Sequence, residues 1–119
     1  MIGQKFHVSI DHQLNQVVEF RVWSPPELTL CLAVLHHVAI SGNVPVPEFL
    51  SWLAELQTAL VIEFPTRDDP RVASLLARKK PGAHPDYDRE PFERALAERF
   101  ETVRQEELAG GTRVLYHAR

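Results

Sequence analysis

Cysteine is almost absent from this 119-residue chain, where Cys31 stands alone. No disulfide within the chain is possible, and a lone Cys inside an apolar run is expected to act as a small buried hydrophobe. Glycine is scarce as well: Gly3, Gly42, Gly82, Gly110 and Gly111 are the whole set, and no G-x-G occurs. A phosphate loop or a dinucleotide-type glycine turn therefore cannot be assembled from them. Lysine is confined to Lys5, Lys79 and Lys80 beside ten arginines, and the net charge is −3, which leaves no basic face for nucleic acid or an anionic membrane. No window approaches the ~18 apolar residues of a membrane span, and the start, MIGQKFHVSI, has no apolar core of signal-peptide length. The expectation from these absences is a cytoplasmic protein without a membrane or nucleic-acid partner. A Gly-x-Ser-x-Gly nucleophile elbow is missing too. The six histidines (His7, His12, His36, His37, His84 and His117) show no i, i+4 pair or Cys/His cluster, so no metal site is expected.

What the chain does have is an ordinary soluble composition, 45% apolar and 24% charged, in a length suited to one domain over 1–119. Its longest apolar stretch is Leu28–Ile40, LTLCLAVLHHVAI. Unbroken by alternation, it reads as a strand buried on both faces that ends in two adjacent histidines and the polar loop Ser41-Gly42-Asn43. Ligands of open α/β sheets gather at such carboxyl ends.

Ahead of that run, Phe6–Ile10 and Val17–Trp23 alternate as strands of a hairpin, with Val18, Phe20 and Val22 on one face and 11–16 as the connection. Ser24-Pro25-Pro26-Glu27 then breaks the chain. A parallel crossover needs about a dozen residues or more, so Val17–Trp23 must pair antiparallel with the Leu28 strand if it pairs at all. Residues 1–27 thus read as an N-terminal hairpin extension.

Behind the histidines, Val46, Phe49, Leu50, Leu53 and Leu56 form one helical stripe opened by Pro45 and Pro47. Ala59–Phe64 is a second buried strand stopped by Pro65. Asp69 and Pro70 open a short helix with Val72, Leu75 and Leu76 inward, and Asp88 caps a helix over Arg89–Phe100. Glu101–Leu108 and Thr112–Ala118 form a closing hairpin around Ala109-Gly110-Gly111. The fold class expected is α/β, with a mostly parallel sheet and antiparallel hairpins at both ends.

LAVLHHVAI (32–40), ALVIEFP (59–65), HPDYDREPFERALAERFETVRQEEL (84–108) and TRVLYHAR (112–119), in that order, resemble the C-terminal half of class I S-adenosylmethionine-dependent methyltransferases. They match that family's fourth strand and following loop, its fifth strand, its last helix with the sixth strand, and its antiparallel seventh strand. The resemblance covers roughly 28–119 and implies a partial Rossmann-like sheet. It also implies S-adenosylmethionine as cofactor, a small-molecule methyl acceptor, and in-line transfer of the sulfonium methyl to an O, N or C nucleophile. The family's glycine-rich loop and the acidic residue that holds the ribose have no counterpart in residues 1–27. Cofactor binding would then need a missing N-terminal half or another chain, and a homo-oligomer or dimer is a further expectation. The alternative function is a non-catalytic remnant of the fold that serves oligomerisation or partner docking.

On this resemblance His36 and His37 are the catalytic candidates, with Leu35 and His36 beside the cofactor. Lying next to each other at a strand end, the two imidazoles would point opposite ways, and one could orient or deprotonate a nucleophile. Asn43 on the following loop, Glu63 near the end of the second strand (bonding a ligand or Arg67) and Tyr87 ahead of the last helix are the substrate-binding candidates. His84 and Asp86 cluster with Tyr87, where packing and capping are the expected roles.

Overall fold

The computed structural model describes the backbone of residues 4–12, 16–24 and 28–119, and side chains over 28–119. It is a mixed α/β fold. Strands β1 (Gln4–His12), β2 (Gln16–Ser24), β3 (Leu28–Cys31), β4 (Ala59–Pro65), β5 (Thr102–Glu107) and β6 (Arg113–Ala118) form one sheet in the order β1-β2-β3-β4-β6-β5. Helices α1 (Val46–Ala54), α2 (Pro70–Ala77) and α3 (Arg89–Ala97) fill the connections.

The N-terminal hairpin is registered from Gln4 opposite Ser24 to His12 opposite Gln16. β2 meets β3 antiparallel at Trp23 and Leu30, as the short connection requires. Residues 13–15 and 25–27, expected as turn and proline break, lie outside the described residues, as do the side chains of Val18, Phe20 and Val22.

Three expectations need correction. The Leu28–Ile40 run is not one strand: β3 stops at Cys31, and after Ala33, at φ 56°, the chain coils into a helical turn whose last part, His37–Ser41, is π-helical. An apolar run carries the same pattern for a buried strand and a buried helix, and here the change comes without a proline or glycine to mark it. Nor is the sheet mostly parallel. Only β3 and β4 pair in parallel, and the other four pairings are antiparallel. The cause is β6, which returns between β4 and β5 and separates two strands that run in the same direction. Finally, α3 ends at Ala97 rather than Phe100, which is only partly buried.

The core lies between the sheet and the helices. Phe49, Leu50 and Leu53 of α1 and Phe92, Ala95 and Leu96 of α3 are buried with Leu60, Ile62 and Phe64 of β4 and Val114, Tyr116 and Ala118 of β6. Phe64 stacks on Tyr87 at 5.0 Å and on Phe92 at 4.8 Å between ring centroids, and Phe92 leans on Tyr116 at 5.1 Å. Offset aromatic pairs of this kind add to what area burial alone gives. At the far edge all six residues of β5 are exposed, and Arg104, Glu106 and Glu107 with an irregularity at Thr102/Arg104 blunt it against further pairing.

Direction places the candidate site. α1 leads from the end of β3 back to the start of β4, and α3 leads back to the start of β5, so both helices begin at the carboxyl edge of the sheet. The two helices pack against each other, and Arg99 just beyond α3 donates to Ser51 Oγ of α1 at 2.8 Å. Phe64 touches both neighbours of the stack and is fully buried, so Phe64→Ala should lower unfolding free energy by about 3–5 kcal/mol in urea denaturation.

Candidate functional site at the carboxyl edge

Two acidic residues and one arginine build this edge. Glu63 on β4 is nearly buried, and its Oε1 accepts both the Ala33 backbone N–H at 2.9 Å and Arg113 Nη1 at 2.8 Å. Asp69 caps α2 by accepting the Arg71 N–H at 2.9 Å. Its Oδ2 also takes Thr112 Oγ1 at 3.0 Å and Arg113 Nε at 2.8 Å. The Arg113 hydrogen bonds, outweighing burial, hold the Asp69 carboxyl down at about 2. Glu63 is therefore engaged by Arg113 and Ala33, not by Arg67. Arg67 turns instead to the carbonyls of His84 and Tyr87, at 2.8 and 3.0 Å.

The adjacent histidines part company on the helical turn. His37 N–H and Val38 N–H both reach the Val34 carbonyl, and Gly42 N–H reaches the His37 carbonyl at 2.9 Å, an i to i+5 closure. Such single π-turns are rare and often sit at functional sites. Gly42 is required because a Cβ there would lie 2.7 Å from the Val38 carbonyl oxygen. His36 is 2% exposed with its Nδ1 unpartnered, whereas His37 is exposed and its ring leans on that of His36 at 4.2 Å. Burial first, then His37 and Arg113, push the His36 imidazole down to about 4. Burial, Arg71 and Arg113 lower His37 too. Leu35 is fully buried in the core, so its side chain faces no ligand.

Asn43 and Tyr87 come together at a recess of about 190 Å³ between the starts of α1 and α3. Ala39, Val44, Pro45 and Val46 complete its apolar wall, and His84 and Asp86 its polar rim. Tyr87 offers only its ring, since its hydroxyl donates to the Pro65 carbonyl at 2.6 Å. Burial drives its phenol pKa upward. Glu63 does not line the recess. His84 and Asp86 thus belong to a cavity rim rather than to packing or capping alone; their clustering ahead of the last helix was the sequence signal. The Glu63–Arg113–Asp69 group had none, because Arg113 lies 44 positions from Asp69 and 50 from Glu63. Among the described residues no group of three or more His, Cys, Asp or Glu is placed to hold a metal ion. No helix there is long and apolar enough to cross a membrane.

Over 90 residues, 76% of this chain, the sequence is 33% identical to nodulation protein NoeA of Rhizobium meliloti (strain 1021). Those residues are 19% of NoeA, so the chain spans about a fifth of the length of this relative. No protein-family model matches the chain, and no solved structure shows significant similarity to it.

Two measurements test this geometry. Arg113→Met strands two nearly buried carboxylates and should cost about 2–4 kcal/mol in chemical denaturation, somewhat below a fully enclosed pair because the guanidinium is partly exposed. The second concerns His36. Its folded pKa is lowered, so the unfolded chain binds the extra proton first. Stability from keeping it neutral is complete above about 6.5 and is lost as pH falls through about 4. His36→Leu should flatten that acid limb while leaving stability at pH 7 equal or higher, because an unsatisfied buried nitrogen goes with it.

Proposed function

We propose that this chain is the acceptor-side half of a small-molecule methyltransferase that uses S-adenosylmethionine. The observation that carries the reading is the strand plan. The segments that resemble the family's fifth, sixth and seventh strands contain β4, β5 and β6, the segment expected as the fourth strand follows directly on β3, and β6 returns antiparallel as the resemblance implies. The similarity to NoeA supports descent as part of a longer protein, and the name of that relative states no reaction.

The residues present do not make a full cofactor site. Leu35 and His36 are closed off in the core, and no glycine turn lets backbone approach a nucleoside. The exposed loop residues Leu32 and Ala33 offer one wall at most. What the chain supplies is an exposed, neutral imidazole, His37, able to take a proton from an acceptor hydroxyl or amine brought to it, and, on the same edge but not lined by His37, a recess able to hold the body of a small molecule. The general-base role passes to His37, with His36 as its buried support.

The absence of any G-x-G favours a second reading, a non-catalytic docking or oligomerisation module of the same descent. Calorimetry separates the two. The chain alone should give no saturable heat with S-adenosylmethionine. Mixed with a methyltransferase half that carries a strand, a G-x-G loop and a helix, it should bind and transfer methyl, and His37→Ala should lower transfer at least tenfold without weakening cofactor binding. No binding in either preparation would leave the docking module.

A further inference from the structure

The recess at the starts of α1 and α3 holds three polar groups that the fold leaves unspent. Asn43 Oδ1 accepts Lys79 Nζ at 3.3 Å, which leaves the amide Nδ2 to donate. Among the described residues, the His84 imidazole and the Asp86 carboxylate have no hydrogen-bond partner, although the His84 carbonyl is taken by Arg67 and by Tyr87 N–H. Burial and the Lys79 ammonium lower the His84 pKa, so its ring is neutral at pH 7, with one donor and one acceptor nitrogen.

The rims are held in place. Asn43 and His84 both adopt left-handed backbone, at φ 54° each, which costs a non-glycine residue on the order of 1 kcal/mol or more and persists where surroundings impose it. Here Arg67 clamps the 84–87 loop through two carbonyls, and Lys79 ties Asn43 to the end of α2. Val44, Pro45 and Val46 add an aliphatic lining to the same recess. The recess thus combines apolar lining with a few hydrogen-bonding groups held in place, as small-molecule sites do.

We propose that this recess binds a small aliphatic amino alcohol, with its hydrocarbon body on Val44, Pro45 and Val46, its ammonium on Asp86, and its hydroxyl between His84 and Asn43. Asp86 is the charged group lining the recess; Lys79 is engaged on Asn43 and Arg67 on backbone carbonyls, so neither cation contacts the ligand. At roughly 30 Å³ per small polar molecule-sized unit, the space takes about six or seven non-hydrogen atoms. As the acceptor site of a methyltransferase the proposal rests on the proposed function, which would make the acceptor an amine- or hydroxyl-bearing compound; the binding itself needs no cofactor.

The test is an NMR titration of the isotope-labelled chain with valinol, and separately with isovalerate, which keeps size and branching but carries a carboxylate. Valinol should give saturable shifts confined to 39–46 and 84–87, with a dissociation constant on the order of millimolar for so few atoms. Isovalerate should bind at least tenfold more weakly. Asp86 is exposed with no side-chain bond to the fold, so Asp86→Asn should keep the remaining spectrum while weakening valinol at least tenfold. Equal binding of isovalerate, shifts elsewhere, no saturable shift, or unchanged affinity in Asp86→Asn would each overturn the proposal. If S-adenosylmethionine never binds but valinol does, the recess stands and the methyltransferase reading falls. The reverse result removes only the recess.

Discussion

One guanidinium sets the carboxyl edge. Arg113, the first residue of β6, reaches Glu63 on β4 and the Asp69 cap of α2, and Glu63 in turn holds the Ala33 N–H in the left-handed turn after β3. Four segments distant in sequence meet through it. The net stability of such a nearly buried ion triad is modest, because desolvation offsets most of the attraction. Its geometric consequence is larger. With Arg113 fixed, the end of β3, the start of α2 and the first rung of the β4/β6 ladder cannot shift independently, and the helical turn that carries both histidines hangs from that frame.

Where structure follows from local chemistry, the sequence made it readable. Asp69 and Asp88 are caps because a short carboxylate beside the first turn satisfies a free N–H whatever lies around it. The antiparallel pairing of β2 with β3 followed from connector length alone, and the closing hairpin from Gly110-Gly111, whose φ values of 95° and 72° are costly for other residues. The illegible parts are those set by distant partners. Nothing in LTLCLAVLHHVAI marks the change from strand to helical turn after Cys31, since both bury an unbroken apolar run. Arg67 is nearer to Glu63 in sequence than Arg113, yet the ladder between β4 and β6 places Arg113 closer, with Glu63 facing Leu115 in register.

The helical turn also changes which histidine could do chemistry. At a strand end the two imidazoles would be alternatives of equal standing. On a helix, neighbours are separated by about 100°, and one falls inward while the other faces solvent. His36 is then held neutral in the core with an unpartnered nitrogen, and His37 keeps water on one side and Arg71 and Arg113 within electrostatic reach. Proton transfer requires access as well as a neutral ring, so only His37 meets both conditions.

A sheet of this kind must close its edges. β3 has β4 on one side and β2 on the other, while β5 at the margin of the sheet is protected by its charges. Neither arrangement draws on S-adenosylmethionine or on a glycine loop. Integrity of the fold therefore does not depend on a bound cofactor. The carboxyl-edge recess is shaped among the described residues by Arg67, Lys79 and the starts of α1 and α3.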